Sequence, residues 1–253
     1  MKKLLILLLF VSQFVASQSA EGLFKKANEQ YKLENYNEAI KTYKEIEELR
    51  LISSEMYYNL GNCYYKLNQV APAIYNYEKA LLINPLNEDA SNNLVFAKRL
   101  TIDNIEELPK SIFQKIDETI IKKLSYNEWA IISVIFSFLG CGLFFLFYFS
   151  YTPTKKRIFF ITSLLSFFLL ILSSVFTIKE HSYTQANIEA IIFVEESEIK
   201  NAPTSNSDTI FKLHEGTKVK VLDTLDRWKK IKIADGKIGW IDTNQIKLLS
   251  IFK

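Results

Sequence analysis

Glycine, proline, cysteine and histidine are all scarce in this chain, and each scarcity excludes something. Seven glycines and five prolines in 253 residues leave no glycine-rich loop to cradle a phosphate, which needs several backbone N–H groups turned toward one anion. The two cysteines, Cys63 and Cys141, are too few for a disulfide scaffold. The two histidines, His181 and His214, stand in no metal-ligand spacing. There is no nucleophile elbow and no zinc motif. The chain therefore reads as non-enzymatic, with no catalytic residue, no metal and no cofactor. The one enzymatic alternative is a redox role for Cys63, set against the ordinary reading of a lone helical cysteine as a small buried hydrophobe. A net charge of +3 is too weak to hold nucleic acid, and no basic stripe with interleaved aromatics occurs.

Charge itself is missing from two long stretches. No charged residue lies between Trp129 and Thr154 or between Ile158 and Ile178. Each run is about 20 residues, which at about 1.5 Å per residue crosses a hydrocarbon core of about 30 Å. Inside lipid only a helix satisfies its own backbone within one segment. Transmembrane helices are expected over 129–151 and 158–178, with Trp129, Tyr148 and Tyr151 at the interfaces. The connection 152–157 is short and carries Lys155, Lys156 and Arg157, so the positive-inside rule places it in the cytoplasm. Both flanking regions then share the outer side. The N-terminus agrees: Lys2 and Lys3 precede the apolar run Leu4 to Val11, and Val15-Ala16-Ser17 fits a signal peptidase site, giving a signal peptide over 1–17. Retained as an anchor, it leaves the topology unchanged. Lys110, Lys115, Lys122 and Lys123 fall on the outer side, where long translocated segments largely escape the charge rule.

Residues 18–100 carry a helical repeat. From Ser54 to Asn87, Tyr57, Leu60, Gly61, Tyr64, Ala73, Tyr77, Ala80 and Pro85 fill the pattern of a tetratricopeptide repeat, a helix hairpin of 34-residue period. Gly61 and Ala73 are small where two helices cross, the large residues fill around them, and Pro85 ends the unit. One period earlier, Leu23, Ala27, Tyr36, Ala39, Ile40, Tyr43 and Ile46 fit, and Tyr31-Lys32-Leu33 repeats as Tyr65-Lys66-Leu67. Lys26 and Leu51 depart from the pattern. Asp89 to Leu100 supplies Leu94 and Ala97 as a covering helix. Two and a half units fall short of the three or so that such arrays need. A further surface is expected: the membrane, a neighbouring repeat or a partner.

The resemblance implies a peptide groove lined by the first helix of each unit. Its positions fall on Phe24, Asn28 and Tyr31, on Tyr58, Asn62, Tyr65 and Lys66, and on Asn93. Asn28 and Asn62 recur at one position and form a ladder suited to a peptide backbone. Phe24 and Tyr58 stand where the family's carboxylate-gripping lysine would be. The competing reading is that these polar residues merely solvate a face.

Residues 101–128 connect the repeats to the first span. After Pro109, Ile112, Ile116, Ile120 and Leu124 recur every fourth residue beside Phe113 and Ile121, which predicts an amphipathic helix over 111–124. It lies either in the membrane interface or against the repeats. Ser125-Tyr126-Asn127-Glu128 is a capping box for the first span. Beyond the second span, 179–253 changes to strand patterning. Runs at 188–194, 208–213, 218–222, 228–233 and 238–241 are divided by Asn201-Ala202-Pro203, Glu215-Gly216, Asp223 to Asp226 and Asp235-Gly236. Five short strands predict a small barrel. Glu215-Gly216-Thr217, Trp228 and Gly239-Trp240-Ile241 resemble a bacterial SH3-like domain, whose relatives bind cell-wall peptides or proteins. Trp228 and Trp240 either line such a site or fill the core.

Signal peptide, tetratricopeptide array, paired spans and SH3-like barrel in this order resemble the BatE family of the Bacteroidota aerotolerance operon. Asp103 to Phe113 is similar to that family's pre-membrane segment. The resemblance implies a non-enzymatic inner-membrane scaffold with both soluble regions in the periplasm. It also implies von Willebrand-type Bat membrane proteins and a MoxR-type ATPase as partners, beside the lipid bilayer. The alternative is a cell-wall anchor, its barrel on peptidoglycan and its repeats recruiting a protein. The expected fold is thus multi-domain: all-α repeat hairpins, two transmembrane helices and a small all-β SH3-like barrel.

Overall fold

The structure, a computed structural model, describes residues 21–106, 108–109 and 111–250, except for the side chains of Phe113, Ile116, Glu118 and Gln185. The expected signal peptide 1–17 and the connector residue Lys110 lie outside the described residues. The chain forms two compact units, Met1–Leu108 with Glu189–Lys253, and Pro109–Ile188.

The first unit opens with helix α1, covering 21–32, followed by α2 (Tyr36–Glu48), α3 (Ser54–Lys66), α4 (Val70–Ile83) and α5 (Glu88–Lys98). The starts of α3 and α5 are capped by the Ser53 hydroxyl on Met56 N–H and the Asn87 carboxamide on Ala90 N–H, each satisfying a donor that the first turn leaves open. The ends of α1, α2 and α3 are alike. Glu34, Arg50 and Asn68 sit at φ of 61°, 57° and 56°. The next N–H reaches back five residues: Asn35 to Gln30 O, Leu51 to Ile46 O and Gln69 to Tyr64 O. That closure reverses the chain sharply and sets consecutive helices antiparallel.

Ala27, Ala39, Tyr43, Ile46, Tyr57, Leu60 and Cys63 form one core between the first two hairpins. Gly61 is required at the crossing of α3 and α4, because a Cβ there would lie 2.7 Å from the Tyr77 ring. Among the described residues α5 has no second helix of its own. Its Leu94 and Ala97 instead join Val70, Ile74 and Tyr77 in a core that also contains Ile191 and Leu249 from the β region. The surface that completes the array is therefore the chain's own barrel, a fourth possibility beside the membrane, a further repeat or a partner.

That β region has seven strands: β1 (Ile188–Ile192), β2 (Glu196–Lys200), β3 (Thr209–His214), β4 (Lys218–Leu225), β5 (Trp228–Lys232), β6 (Ile238–Asp242) and β7 (Ile246–Leu249). They form one sheet in the order β3-β2-β6-β5-β4-β1-β7. β1 pairs with β7, β2 with β3 and β6, and β5 with β4 and β6, all antiparallel. Residues from all seven strands, among them Ile192, Ile199, Leu213, Val221, Ile231, Ile241 and Ile246, meet in one core, so the sheet curls around it. Gly239 permits this: a Cβ there would meet Ile199 at 2.3 Å. Two of the strands are not foreshadowed by the apolar runs. β2 is charged at every outward position, and β7 follows a short 3-10 turn at Thr243–Gln245, so neither stands out in the sequence.

In the second unit, α7 (Tyr126–Phe149) and α8 (Pro153–Ala186) are long and apolar enough to cross a membrane. The expected capping box is present at Ser125 and Glu128. α8 outruns the expected 158–178 at both ends. Pro153 starts it, its fixed φ suiting the first helical position, so Lys155, Lys156 and Arg157 lie in the helix rather than in a loop. The two helices meet along small residues. Ser133 Oγ bonds Ser173 Oγ at 2.8 Å, Ser163 donates to Gly140 O at 3.1 Å and Ser166 to Phe136 O at 2.9 Å. Close packing of this kind is what holds helices together where no hydrophobic force separates them from lipid. Ile135, Phe138, Phe145, Ile161 and Phe168 point outward and are exposed.

The connector departs from expectation. Its helix α6 spans only Ile112–Ile116 and passes into a π turn at Asp117–Ile121. The wider turn frees the Ile121 carbonyl to accept from Trp129 Nε1 at 2.9 Å, and Asp117 pairs with Lys179. The four-residue stripe is thereby broken, with Ile121 buried and Ile112 and Ile120 exposed.

Candidate functional site

The 34-residue period reappears as chemistry on the face formed by α1, α3 and α5. Asn28 Oδ1 accepts from the Tyr43 hydroxyl and from Asn59 Nδ2. One period on, Asn62 Oδ1 accepts from the Tyr77 hydroxyl at 2.7 Å and from Asn93 Nδ2 at 2.8 Å. Each asparagine thus ties its own second helix to the next first helix. Burial pushes the Tyr43 and Tyr77 hydroxyls up, so at neutral pH both stay protonated and donate. The ladder expected for a peptide backbone has its oxygens spent inside the fold.

Beside the ladder lies a pocket of about 220 Å³, lined by Tyr31, Tyr58, Asn62, Tyr65, Lys66, Asn93 and Phe96. Six of the eight expected groove residues meet there. Asn28 stands behind them as a strut. Phe24 turns edge-on to Tyr43, ring centroids 6.0 Å apart, and lines a separate concavity with Ile46 and Met56. Phe96 is an addition to the expected set, although the shift that links Asn28 to Asn62 leads directly to it. Lys66 is exposed, and the Arg99 guanidinium lies 5.3 Å from the Phe96 ring.

A larger concavity of about 720 Å³ opens between the second helices and β7, with Glu47, Tyr57, Tyr75, Lys79 and Leu248 in its wall. Lys79 holds Glu47 at 2.7 Å and lies 4.1 Å from the Tyr57 ring. Burial raises the Glu47 carboxyl, but Lys79 and the Tyr57 hydroxyl outweigh it and hold the group below its ordinary value. No sequence signal marks this cleft, because it exists only once β7 is set beside α2 and α4.

On the barrel, Lys230 pairs with Trp240 and Trp228 with Asp242 across β5 and β6. Directly opposed residues share a face, and so do residues two apart on a strand. Trp228 and Trp240 therefore lie on the face away from Ile231 and Ile241. Trp228 is nonetheless buried, with Arg227 at 5.5 Å from its ring; Trp240 is half-buried, with Lys230 at 5.9 Å. Cys63 is fully buried and its thiol is pushed up to about 12 by burial, so it carries no thiolate at neutral pH. Among the described residues no group of three His, Cys, Asp or Glu is placed to hold a metal.

The comparisons agree with this architecture segment by segment. Residues 20–51 and 54–87 each match the Tetratricopeptide repeat family, and residues 198–247 match the Bacterial SH3 domain. No curated protein matches the chain. Both matched families are interaction modules.

Proposed function

We propose that this chain is a non-enzymatic membrane scaffold whose concave repeat face docks a partner protein. The observation that carries the reading is the pocket itself. Six residues expected from the repeat pattern converge there, with aromatic side chains for contact area and amides for orientation, which is the composition of a recognition surface. The apolar hairpin is the membrane tether. The three cations in the first turn of α8 support a cytoplasmic turn, and hence repeats and barrel in the periplasm of a bacterial inner membrane. In that setting the order of parts favours a role in a Bat-type complex, with von Willebrand-type membrane proteins and a MoxR-type ATPase system as partners.

A photo-crosslinking residue at Tyr65 or Phe96 in intact cells, followed by mass spectrometry, tests this reading. Asn62 is unsuited because replacing it breaks the ladder. A discrete membrane-protein adduct is expected; no adduct at either position, with the protein folded and abundant, removes the groove from consideration. The Bacterial SH3 match favours a second reading, a cell-wall anchor using the Trp228 and Trp240 face. Purified sacculi should then pellet the full chain from detergent. Failure to pellet eliminates the anchor.

A further inference from the structure

The pocket on α1, α3 and α5 is unbalanced in charge and keeps free hydrogen-bonding capacity. Asn62 spends its oxygen on Tyr77 and Asn93, so its remaining capacity is the Nδ2 donor. Asn93 spends its nitrogen on Asn62 and Tyr58 and keeps one acceptor oxygen. Lys66 offers donors alone, while the Tyr31, Tyr58 and Tyr65 hydroxyls can donate or accept. No carboxylate lines the pocket. Among the described residues Lys66, in the pocket wall, and Arg99, beside it, have no acidic partner, so their charge is uncompensated at the pocket. Cations at the ends of α3 and α5 also suit the helix dipole. The dipole does not account for the Arg99 guanidinium lying over Phe96, which keeps it beside the pocket.

We infer that the ligand of this groove is an extended acidic peptide segment bearing an aromatic side chain. The aromatic group seats among Tyr31, Tyr58, Tyr65 and Phe96, and the flanking carboxylates face Lys66 and Arg99. Ring-on-ring contact supplies area, the free Asn62 amide donor and the Lys66 ammonium suit carbonyl and carboxylate acceptors, and the two cations without an acidic partner select the ligand's sign. The inference rests on the concave face being the docking surface.

The test is fluorescence anisotropy with the full chain in nanodiscs and two labelled peptides. One has glutamates flanking a phenylalanine; the other has glutamine at each glutamate. The acidic peptide is expected to bind about tenfold tighter, the combined effect of two exposed charge pairs. The preference should shrink as salt rises. The Lys66→Glu, Arg99→Glu double variant should abolish it, while Lys66→Arg should preserve it. Equal binding of the two peptides, insensitive to the double variant, overturns the acidic assignment and leaves the docking reading intact. No binding of either peptide, together with empty crosslinks at Tyr65 and Phe96, overturns both.

Discussion

The Lys218 ammonium on β4 lies 2.8 Å from the Glu78 carboxylate on α4, joining residues 140 positions apart. Glu78 is buried. Lys98 approaches its other oxygen at 2.9 Å, off the hydrogen-bond axis, and Lys218 also meets Glu189 at 2.6 Å. Barrel and repeats are thereby locked by alternating charges at the edge of a shared apolar core. Stranding a buried charge outright costs about 3–5 kcal/mol; without Glu78, Lys218 keeps Glu189 and Lys98 is exposed, so the loss falls below that range. Glu78→Ala should therefore lower unfolding free energy by about 1–3 kcal/mol in denaturant titration, the cost of charge-assisted hydrogen bonds lost from a buried site. Glu78→Leu combined with Lys218→Leu should recover most of that loss, since the one carboxylate left without Lys218, Glu189, is partly exposed to water.

Acid should loosen the same unit. Burial alone raises the Glu78 carboxyl, but Lys218 and Lys98 outweigh it and hold the group below its ordinary value. Burial likewise raises Asp103, which is then brought below its ordinary value by hydrogen bonds from the His214 side chain, Thr217 and the His214 backbone. A carboxyl whose pKa is lower folded than unfolded stabilises above the unfolded value and loses that contribution as pH falls through the folded one. Thermal stability should hold from pH 7 to 5 and decline below about pH 4, the ordinary carboxylate range. In Asp103→Asn the decline should be shallower, from a lower starting point.

The asparagine ladder predicts a contrast between two substitutions. Asn62→Asp keeps an acceptor for Tyr77 and Asn93, and should stay within about 1 kcal/mol of the parent. Asn62→Leu leaves the buried Tyr77 hydroxyl and the half-buried Asn93 amide without their acceptor, which costs about 1–3 kcal/mol for each donor that water cannot reach. Chemical denaturation of both variants decides the matter; equal losses would mean the oxygens hold nothing together.

Gly61→Ala should destabilise by about 1–3 kcal/mol, since the added methyl meets the Tyr77 ring and overpacking moves side chains off their rotamers. Gly61→Ala with Tyr77→Phe should not rescue it, because the clash is with the ring and not the hydroxyl.

Glu34 stands at the left-handed position that ends α1, with φ of 61°. Glu34→Gly should raise stability by up to about 1 kcal/mol, read as a higher melting temperature, because glycine adopts that conformation without steric cost.

Much of this is legible in order along the chain, because the responsible physics is local. The resemblance to the tetratricopeptide pattern, set in register by the 34-residue period, is what points to Tyr31, Tyr58, Asn62, Tyr65, Lys66 and Asn93 as one face of α1, α3 and α5. The same shift contains Phe96. Absence of charge over two runs of about 20 residues marks the hairpin, although the loop expected at 152–157 gives way to α8, which begins at Pro153. Other features depend on partners that no local pattern names. The π turn at Asp117–Ile121 is tied to an indole eight residues on and a lysine 62 residues on. β7 is a strand because β1 is there to pair with it.

The sequence by itself determined the parts: two helical hairpins with a trailing helix, two apolar spans and a small β domain, each specified by periodicity and by the residues that end it. Only the tertiary structure decided that the β domain serves as the missing wall of the repeat array. Burying Ile191 and Leu249 beside Leu94 and Ala97, and pairing Lys218 with Glu78, requires surfaces more than 90 residues apart to meet. Complementarity of that kind is a property of two folded faces, absent from either stretch of chain alone.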